Sequence, residues 1–263
     1  MFQFKLPLLD RPILWYGFLF ATGFLIGYWV FVYLLKHVPE KDVKIQAKTL
    51  TEKLTFYVIV GTIVGARLGD VFFYHSPTTY LRDPLSVLKV WTGGLASHGG
   101  ALGILVALWI FSRRYPLLSW SRWLDLVVVP TGLVGFFIRI GNFMNQEILG
   151  TVTNVPWAIV FGHVADGSFP VPRHPVQLYE ALFYLLIFGL FLGLFHLRRF
   201  RSGRIAGLFL MLVFAFRFAI EYLKEEQSHL LTPDAFLDMG QLLSLPFLAL
   251  GAYLLTRKSR QSY

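Results

Sequence analysis

Three arginines lie inside long apolar stretches of the sequence, where charged side chains are rare. They are Arg67, Arg139 and Arg217. A charge at the centre of a bilayer costs about 2.5–3.5 kcal/mol on insertion scales, so each of these arginines needs protein, water or an anion beside it. A guanidinium binds phosphate through two parallel hydrogen bonds. The arginines therefore indicate an interior site for a phosphate-bearing ligand, unless carboxylates of the chain neutralise them.

Carboxylates close in sequence decide which of these arginines a ligand could use. Arg217 and Glu221 are four residues apart, and this spacing favours an ion pair on one helix face. Arg67 and Asp70 are three apart, and there pairing and a functional role are equally supported. The internal carboxylates available as partners are Asp70, Glu147, Glu180 and Glu221.

Arg139 begins the polar string RIGNFMNQEILG, residues 139–150, which ends an otherwise apolar run. Its neighbours on the same helix face are Gly135 and Asn142, and small residues leave room for a ligand. Amide donors beside a guanidinium without a carboxylate partner suit a phosphate. We therefore expect Arg139 to face a ligand rather than a carboxylate.

His98 lies in the segment WTGGLASHGG, with glycine pairs before and after it. Glycines open the backbone around a side chain to a ligand, and an imidazole can act as a general base near neutral pH. A histidine in an apolar segment is also often a structural hydrogen-bonding group, so both interpretations stay open. Metal binding is the least favoured interpretation, because the other six histidines lie on different segments without ligand spacing.

The composition identifies the elements that must hold these residues as membrane helices. Of the 263 residues, 56% are hydrophobic and only 15% are charged, whereas soluble domains carry about 25% charged residues. Apolar runs long enough for the roughly 20 residues of a spanning helix recur along the chain. We expect an all-α polytopic membrane protein with one integral membrane domain, residues 1–263. The absence of cysteine excludes disulfides and a cysteine nucleophile of the chain's own.

Seven transmembrane spans are predicted, at about 13–35, 55–74, 93–112, 122–143, 176–197, 205–223 and 238–256. Fifteen lysines and arginines fall in the first, third and fifth loops and the C-terminal tail, and six fall in the N-terminus and the other loops. By the positive-inside rule, the N-terminus lies outside and the C-terminus is cytoplasmic. This asymmetry also accounts for the net charge of +9 without a nucleic-acid partner.

Two loops have a character of their own. The fourth loop, 144–175, is long and proline-rich, and we expect it to form a small cap outside the membrane. The first loop, 36–54, is lysine-rich and predicted to lie along the cytoplasmic headgroups. With this topology, five helices direct polar residues to the outer half of the bilayer. The string at 139–150 thus lines a site that opens toward the outer leaflet.

These motifs resemble the prolipoprotein diacylglyceryl transferases of bacterial inner membranes. Seven blocks in order carry the resemblance: LWYG (14–17), GARLGDVFFY (65–74), WTGGLASHGG (91–100), RIGNFMNQEILG (139–150), RHPVQLYE (173–180), FRFAIEY (216–222) and MGQLLSLP (239–246). The resemblance implies transfer of the diacylglyceryl group from phosphatidylglycerol to the thiol of a lipobox cysteine in a preprolipoprotein, with release of glycerol phosphate. It also implies a multi-pass protein of the inner membrane, seven spans and an outside N-terminus.

The resemblance also implies which residues form the site. The family's essential positions fall on Tyr16, His98, Arg139, Asn142, Glu147, Gly150, Arg217 and Glu221. We assign catalysis to His98, Arg139 and Arg217, headgroup binding to Arg139, Asn142, Tyr16 and Arg217, and support to Glu147, Gly150, Glu221 and Arg67. Fixed cations would stabilise the charge on the leaving phosphate. The expected partners are phosphatidylglycerol, the lipobox signal peptide and membrane lipids, and no cofactor is required.

Two other functions use the same residues. A lipid transporter or scramblase could use the charged groove without covalent chemistry, but no inverted repeat is visible and the polar residues gather on one side only. A structural scaffold would leave three arginines in apolar segments without a purpose.

Overall fold

The structure is a computed structural model, and it describes residues 3–4, 13–73, 87, 96–162, 169–197, 202–225 and 237–257. Helices dominate these residues, and a 3₁₀ turn, Glu221–Leu223, follows the seventh helix. In chain order the α-helices are α1 (Trp15–His37), α2 (Lys41–Ile45), α3 (Ala47–Phe73), α4 (Ser97–Arg114), α5 (Trp120–Asn145), α6 (Val176–Leu197), α7 (Arg204–Ile220) and α8 (Met239–Thr256).

Two antiparallel pairs of two-residue strands interrupt the helical architecture. Strand β1 (Gln3–Phe4) pairs with β2 (Ile13–Leu14), and β3 (Ile159–Val160) pairs with β4 (Pro172–Arg173). The all-α prediction missed them, because two residues are too short to show the alternation that reveals a strand. The helical fold class is otherwise confirmed.

Five of the helices are long and apolar enough to cross a membrane: α1, α3, α5, α6, and α7 with its 3₁₀ turn. This is the helix content of a polytopic membrane protein. A helix also lies within or across each of the seven sequence segments that were predicted to span. Long apolar runs could be located from the sequence because each of them is as long as the bilayer is thick.

Helix α3 begins at Ala47, eight residues before the predicted start of its span at 55. Four residues of this first part are buried, and they recur at helical spacing: Ala47, Leu50, Thr51 and Leu54. Lys48 and Glu52 lie on the exposed face, where they form an ion pair of 3.9 Å. The segment is therefore an amphipathic extension of α3. The predicted span did not include it, because its charged residues interrupt the apolar run.

The chain divides into two compact units, residues 31–124 and residues 1–30 with 125–263. In the unit of residues 31–124, α3 and α4 meet along glycines. A Cβ atom added to Gly65 would lie 2.8 Å from the Cα of Gly103, and one added to Gly69 would lie 2.8 Å from the Cα of Gly99. Side chains of any size are excluded there, so the two backbones touch, as in small-residue contacts between membrane helices.

In the other unit, aromatic rings join α6, α7 and α8. The rings of Phe183 and Phe216 stack with centroids 3.9 Å apart, and those of Phe214 and Phe247 stack at 4.3 Å. Stacked aromatic pairs contribute about 0.5–1.5 kcal/mol beyond the area that they bury. These contacts hold α8 against α7, which carries Arg217, and α7 against α6, which carries Glu180.

A carboxylate from α5 caps the first turn of α7. Asp125 is buried, and it accepts hydrogen bonds from the backbone amides of Gly203 (2.6 Å) and Ala206 (2.8 Å). The first amides of a helix have no partner within the helix, so a buried N-terminus requires an outside acceptor. Asp125 provides it across 78 residues of sequence.

Candidate active site

The last turns of α5 and the residues that follow hold a row of three polar side chains. Arg139 Nη1 donates to Asn142 Oδ1 (3.2 Å), and Asn142 Nδ2 donates to Glu147 Oε1 (2.8 Å). Residues three apart are neighbours on a helix surface, which accounts for the first contact. The second contact requires the chain to turn back after the helix ends at Asn145.

A strained turn brings Glu147 back to Asn142. Gln146 and Ile148, on either side of Glu147, have φ angles of 55° and 58°. This left-handed conformation is unusual for any residue except glycine and rare for a β-branched one, and it costs about 1–3 kcal/mol per residue. The Gln177 side chain of α6 supports the turn by donating to the Glu147 carbonyl (2.8 Å). Strain of this kind clusters at functional sites, where it fixes a side chain in place.

Tyr16, near the start of α1, lies against the same end of α5. A Cβ atom added to Gly141 would lie 2.8 Å from Tyr16 Cδ2, so the glycine makes room for the ring. The Tyr16 hydroxyl is within electrostatic range of Glu147 and Arg139. The structure thus brings together Tyr16, Arg139, Asn142 and Glu147 from positions 16 to 147.

Arg139 has a carboxylate partner, contrary to the prediction. Its Nε lies 3.2 Å from Oε2 of Glu180, a buried residue of α6. The other oxygen, Oε1, accepts a 2.9 Å hydrogen bond from Nζ of Lys224, which is also buried. One carboxylate is therefore shared by two cations. The sequence did not reveal this contact, because its partners lie about 40 residues apart on different helices.

Arg217 does not pair with Glu221, so that prediction was wrong. The backbone of Glu221 still continues the helix, since its amide donates to the Arg217 carbonyl, but its carboxylate lies against Gly240 of α8 and not beside the Arg217 guanidinium. Glu221 Oε2 instead lies 3.6 Å from Lys224 Nζ. Among the described residues, no carboxylate oxygen lies within 4.0 Å of the Arg217 guanidinium.

Tyr184, on α6, is influenced by both Arg139 and Arg217. The Tyr184 side chain lies close to Arg139, and its hydroxyl is also within electrostatic range of Glu180 and Arg217. Arg139 and Arg217 therefore both act electrostatically on one tyrosine hydroxyl. Tyr184 is a site residue that the sequence analysis missed, because one tyrosine in an aromatic-rich helix gives no signal.

The Glu221 carboxylate packs against the first turn of α8. A Cβ atom added to Gly240 would lie 2.5 Å from Glu221 Cδ, so only a glycine fits beside it. Gln241 completes a capping box with Asp238 at the start of α8, and its side chain also donates to the Phe218 carbonyl of α7 (3.3 Å). The MGQ motif thus positions the Glu221 carboxylate. The sequence positions of these residues alone did not reveal this role.

Gly150 lies in a small three-stranded arrangement outside the helices. The next residue, Thr151, is hydrogen-bonded to two other segments. Its amide donates to the Leu223 carbonyl (2.9 Å), and its carbonyl accepts from the His174 amide (3.0 Å). Gly150 itself bridges to Lys224. A Cβ atom on Gly150 would lie 2.8 Å from the Cβ of His174, so a larger residue would push the strands apart.

The remaining predicted site residues lie in the unit of residues 31–124. Arg67 and Asp70 form a buried ion pair of 3.5 Å, and Arg67 Nε donates to the Val87 carbonyl (2.9 Å). Pairing is thus the interpretation of Arg67 that the structure supports. His98 is the second residue of α4, and its side chain lies outside the described part of the structure.

Comparisons with known proteins give the family. The profile of the family described as prolipoprotein diacylglyceryl transferase matches residues 3–257. The chain belongs to this family. It is 43% identical over 250 residues to the phosphatidylglycerol–prolipoprotein diacylglyceryl transferase of Tolumonas auensis, covering 94% of this chain and 92% of that protein. The enzymes of that name from Porphyromonas gingivalis (44% over 262 residues, 95% and 90% covered) and Chloroherpeton thalassium (41% over 255 residues, 95% and 90% covered) are similarly close.

Membership of this transferase family confirms the resemblance seen in the sequence, and with the five apolar helices it identifies a multi-pass membrane protein. The cluster offers two guanidinium groups, amide donors and a tyrosine hydroxyl, which are groups that bind and orient a phosphate. In the described part of the chain, no three histidine, aspartate or glutamate side chains converge as metal ligands would. The chemistry that the site favours is stabilisation of phosphate charge.

Proposed function

We propose that this chain transfers the diacylglyceryl group of phosphatidylglycerol to the thiol of the lipobox cysteine in a preprolipoprotein. The thiolate sulfur attacks the glyceryl carbon that carries the phosphate, and a carbon–sulfur bond forms. The carbon–oxygen bond to the phosphate breaks, and its electron pair leaves on the oxygen. The products are a thioether and glycerol phosphate, and the reaction is the first step of bacterial lipoprotein maturation.

The observation that carries this proposal is the pair of arginines in one cluster. Arg217 has no carboxylate within 4.0 Å in the described residues, and Arg139 shares its single carboxylate with Lys224. The Arg217 guanidinium is therefore not bound by a described carboxylate, and it is available to contact the leaving phosphate. Donors fixed where charge develops are usually the largest contribution to catalysis.

The other residues of the cluster have supporting roles in the proposed reaction. Asn142 and Tyr16 orient the headgroup, and Glu147 holds the Asn142 amide so that its oxygen faces Arg139. Gly150 and Glu221 keep the neighbouring backbone and helix end in position. All five act on binding and orientation, which can contribute as much to a rate as direct proton transfer.

His98 is proposed to take the proton of the incoming thiol. A free cysteine has a pKa of about 8.5, so a base increases the reactive thiolate at neutral pH. A purely positioning role for His98 is the alternative. The reaction as written needs no metal and no nucleotide.

The proposed reaction requires a particular membrane location and orientation. We place it in the bacterial inner membrane with seven spans, the N-terminus outside and the C-terminus in the cytoplasm, as one integral domain of residues 1–263. The loop at 144–175 forms the outer cap, and the segment at 36–54 lies along the cytoplasmic headgroups. Phosphatidylglycerol then reaches the site from the outer leaflet, where the signal peptide of the substrate emerges.

The test is a reaction with three defined components. Purified protein in detergent micelles is mixed with phosphatidylglycerol and a lipobox peptide, and the peptide is weighed by mass spectrometry. We expect a mass increase of one diacylglyceryl group on the cysteine and release of glycerol phosphate. Movement of labelled phosphatidylglycerol across vesicles without this product would identify a lipid transporter instead.

A further inference from the structure

Four charged side chains of alternating sign run through the interior of the unit that contains residues 125–263. We call this set the charge row: Arg139, Glu180, Lys224 and Glu221. The successive N–O distances are 3.2, 2.9 and 3.6 Å. The row links α5, α6 and the 3₁₀ turn after α7, and Gly240 of α8 packs against its last carboxylate.

The contacts of Arg139 leave only part of its guanidinium available. Glu180 holds Nε, and Asn142 accepts from Nη1. Two sides of the planar group are thus in contact with different elements, and the Tyr184 side chain lies close to it as well. A guanidinium held in this way is pre-organised, so less conformational entropy is lost when a phosphate binds.

We propose that Glu180 and Lys224 are positioning residues for Arg139, an inference that rests on the proposed transfer reaction. Glu180 sets the orientation of the guanidinium. Lys224 binds the other oxygen of the Glu180 carboxylate. Glu180 can therefore orient Arg139 without being paired with it alone. Neither side chain contacts the substrate, and both act through Arg139.

Burial and backbone contacts suit these side chains to such a role. Glu180 is 2% exposed and Lys224 is 8% exposed. An unpaired charge at such depth is strongly destabilising. The two side chains therefore stay paired in the folded protein. The backbone of Lys224 also forms a β-bridge with Gly150, and its amide donates to the Glu221 carbonyl (3.0 Å). The backbone of Lys224 is therefore held from two sides.

Four variants separate positioning from a structural contribution to folding. Glu180→Gln keeps the shape and removes the charge, Lys224→Met removes the cation, and Lys224→Arg keeps it. The double variant Glu180→Gln with Lys224→Met restores the charge balance of the interior. Asp125→Asn is the matched control, because Asp125 is an equally buried carboxylate that caps the far end of α7.

The measurements are melting temperature, kcat and KM for phosphatidylglycerol in the micelle assay with the lipobox peptide. We expect Glu180→Gln and Lys224→Met to lower kcat/KM by about 10- to 100-fold, since small misplacements of a catalytic group have effects of that size. Lys224→Arg should keep most of the activity. The double variant should recover its melting temperature but not its kcat, and Asp125→Asn should lose stability with unchanged turnover per folded molecule.

Three results would overturn the proposal. The first is a wild-type kcat in Glu180→Gln. The second is a double variant that recovers stability and kcat together, which would show that the pair only stabilises the fold. The third is a wild-type protein that forms no thioether, which removes the proposed function and this inference with it. If Glu180→Gln does not accumulate, the comparison of Lys224→Met with Lys224→Arg decides the same question.

Discussion

Arg217 and Arg139 are held in different ways although both belong to one cluster. Glu180 and Asn142 fix Arg139 from two sides. Arg217 has no carboxylate in reach among the described residues, and it lies within electrostatic range of Tyr184. The Arg217 guanidinium is therefore the group with most freedom to follow a phosphate as it leaves.

Replacing either arginine should stop the reaction without preventing insertion. We expect Arg139→Gln and Arg217→Gln to lower kcat by about 10²–10³-fold, the usual effect of losing one donor to a developing charge. Arg139→Lys should also be impaired, because an ammonium keeps the charge but loses the two-pronged contact. The measurement is initial rate per accumulated protein. Lys48→Gln, at an exposed ion pair of α3, is the control, and near-normal turnover in a glutamine variant would remove that arginine from the site.

A pH profile separates the two roles considered for His98. If its imidazole takes the thiol proton, His98→Gln should be slow near neutrality and recover part of its rate at higher pH. The recovery is expected because more of the substrate cysteine, with a pKa of about 8.5, ionises unaided. Initial rates from about pH 6.5 to 9 test this. A variant slower by one constant factor at every pH would assign His98 to positioning.

At the scale of elements, the turn after α5 and the strands around Gly150 place the ends of three helices. The left-handed residues Gln146 and Ile148 return the chain to Asn142, and Gly150 then pairs with Lys224 beyond α7. A local change in this segment should therefore reach both the polar row on α5 and the charge row.

Gly150→Ala should disrupt this segment. The added Cβ would lie 2.8 Å from the His174 Cβ and 2.9 Å from Val176 Cγ1, so the strands must separate. We expect a loss of about 1–3 kcal/mol in the free energy of unfolding, as for other overpacked sites, and a loss of transfer activity. Thermal unfolding and the micelle assay measure the two effects. Gly162→Ala is the control, since nothing lies within 4 Å of a Cβ there, and equal behaviour of both variants would contradict the packing account.

What the sequence could predict depends on the distance between the interacting residues. Apolar runs revealed the long helices, because a spanning helix needs about 20 apolar residues wherever it packs. The neighbours of Arg139 within α5 were also predictable from helical spacing. Its contact with Glu180 and the contact of Glu180 with Lys224 were not, because tertiary packing alone brings those segments together. The error over Glu221 has the same origin, because its carboxylate lies against Gly240 of α8 and near Lys224, and helical spacing does not show such contacts.

At the scale of the whole molecule, the distribution of lysine and arginine predicts orientation. Fifteen lie in segments assigned to the cytoplasm and six in those assigned to the outside. A reporter that is active only in the cytoplasm should work when fused after Arg260 and fail when inserted near Asp166. The reverse pattern would place the site at the inner leaflet and refute the proposed orientation.

The charge row also has a consequence for synthesis of the chain. Arg139 leaves the ribosome about 40 residues before Glu180, and Glu180 leaves 44 residues before Lys224. At about 5–20 residues per second, each charge waits about 2–9 s for its partner. A lone arginine in lipid would cost about 2.5–3.5 kcal/mol during that interval. Release of α5 into lipid is therefore expected to be more favourable once α6 has supplied Glu180 as the partner of Arg139.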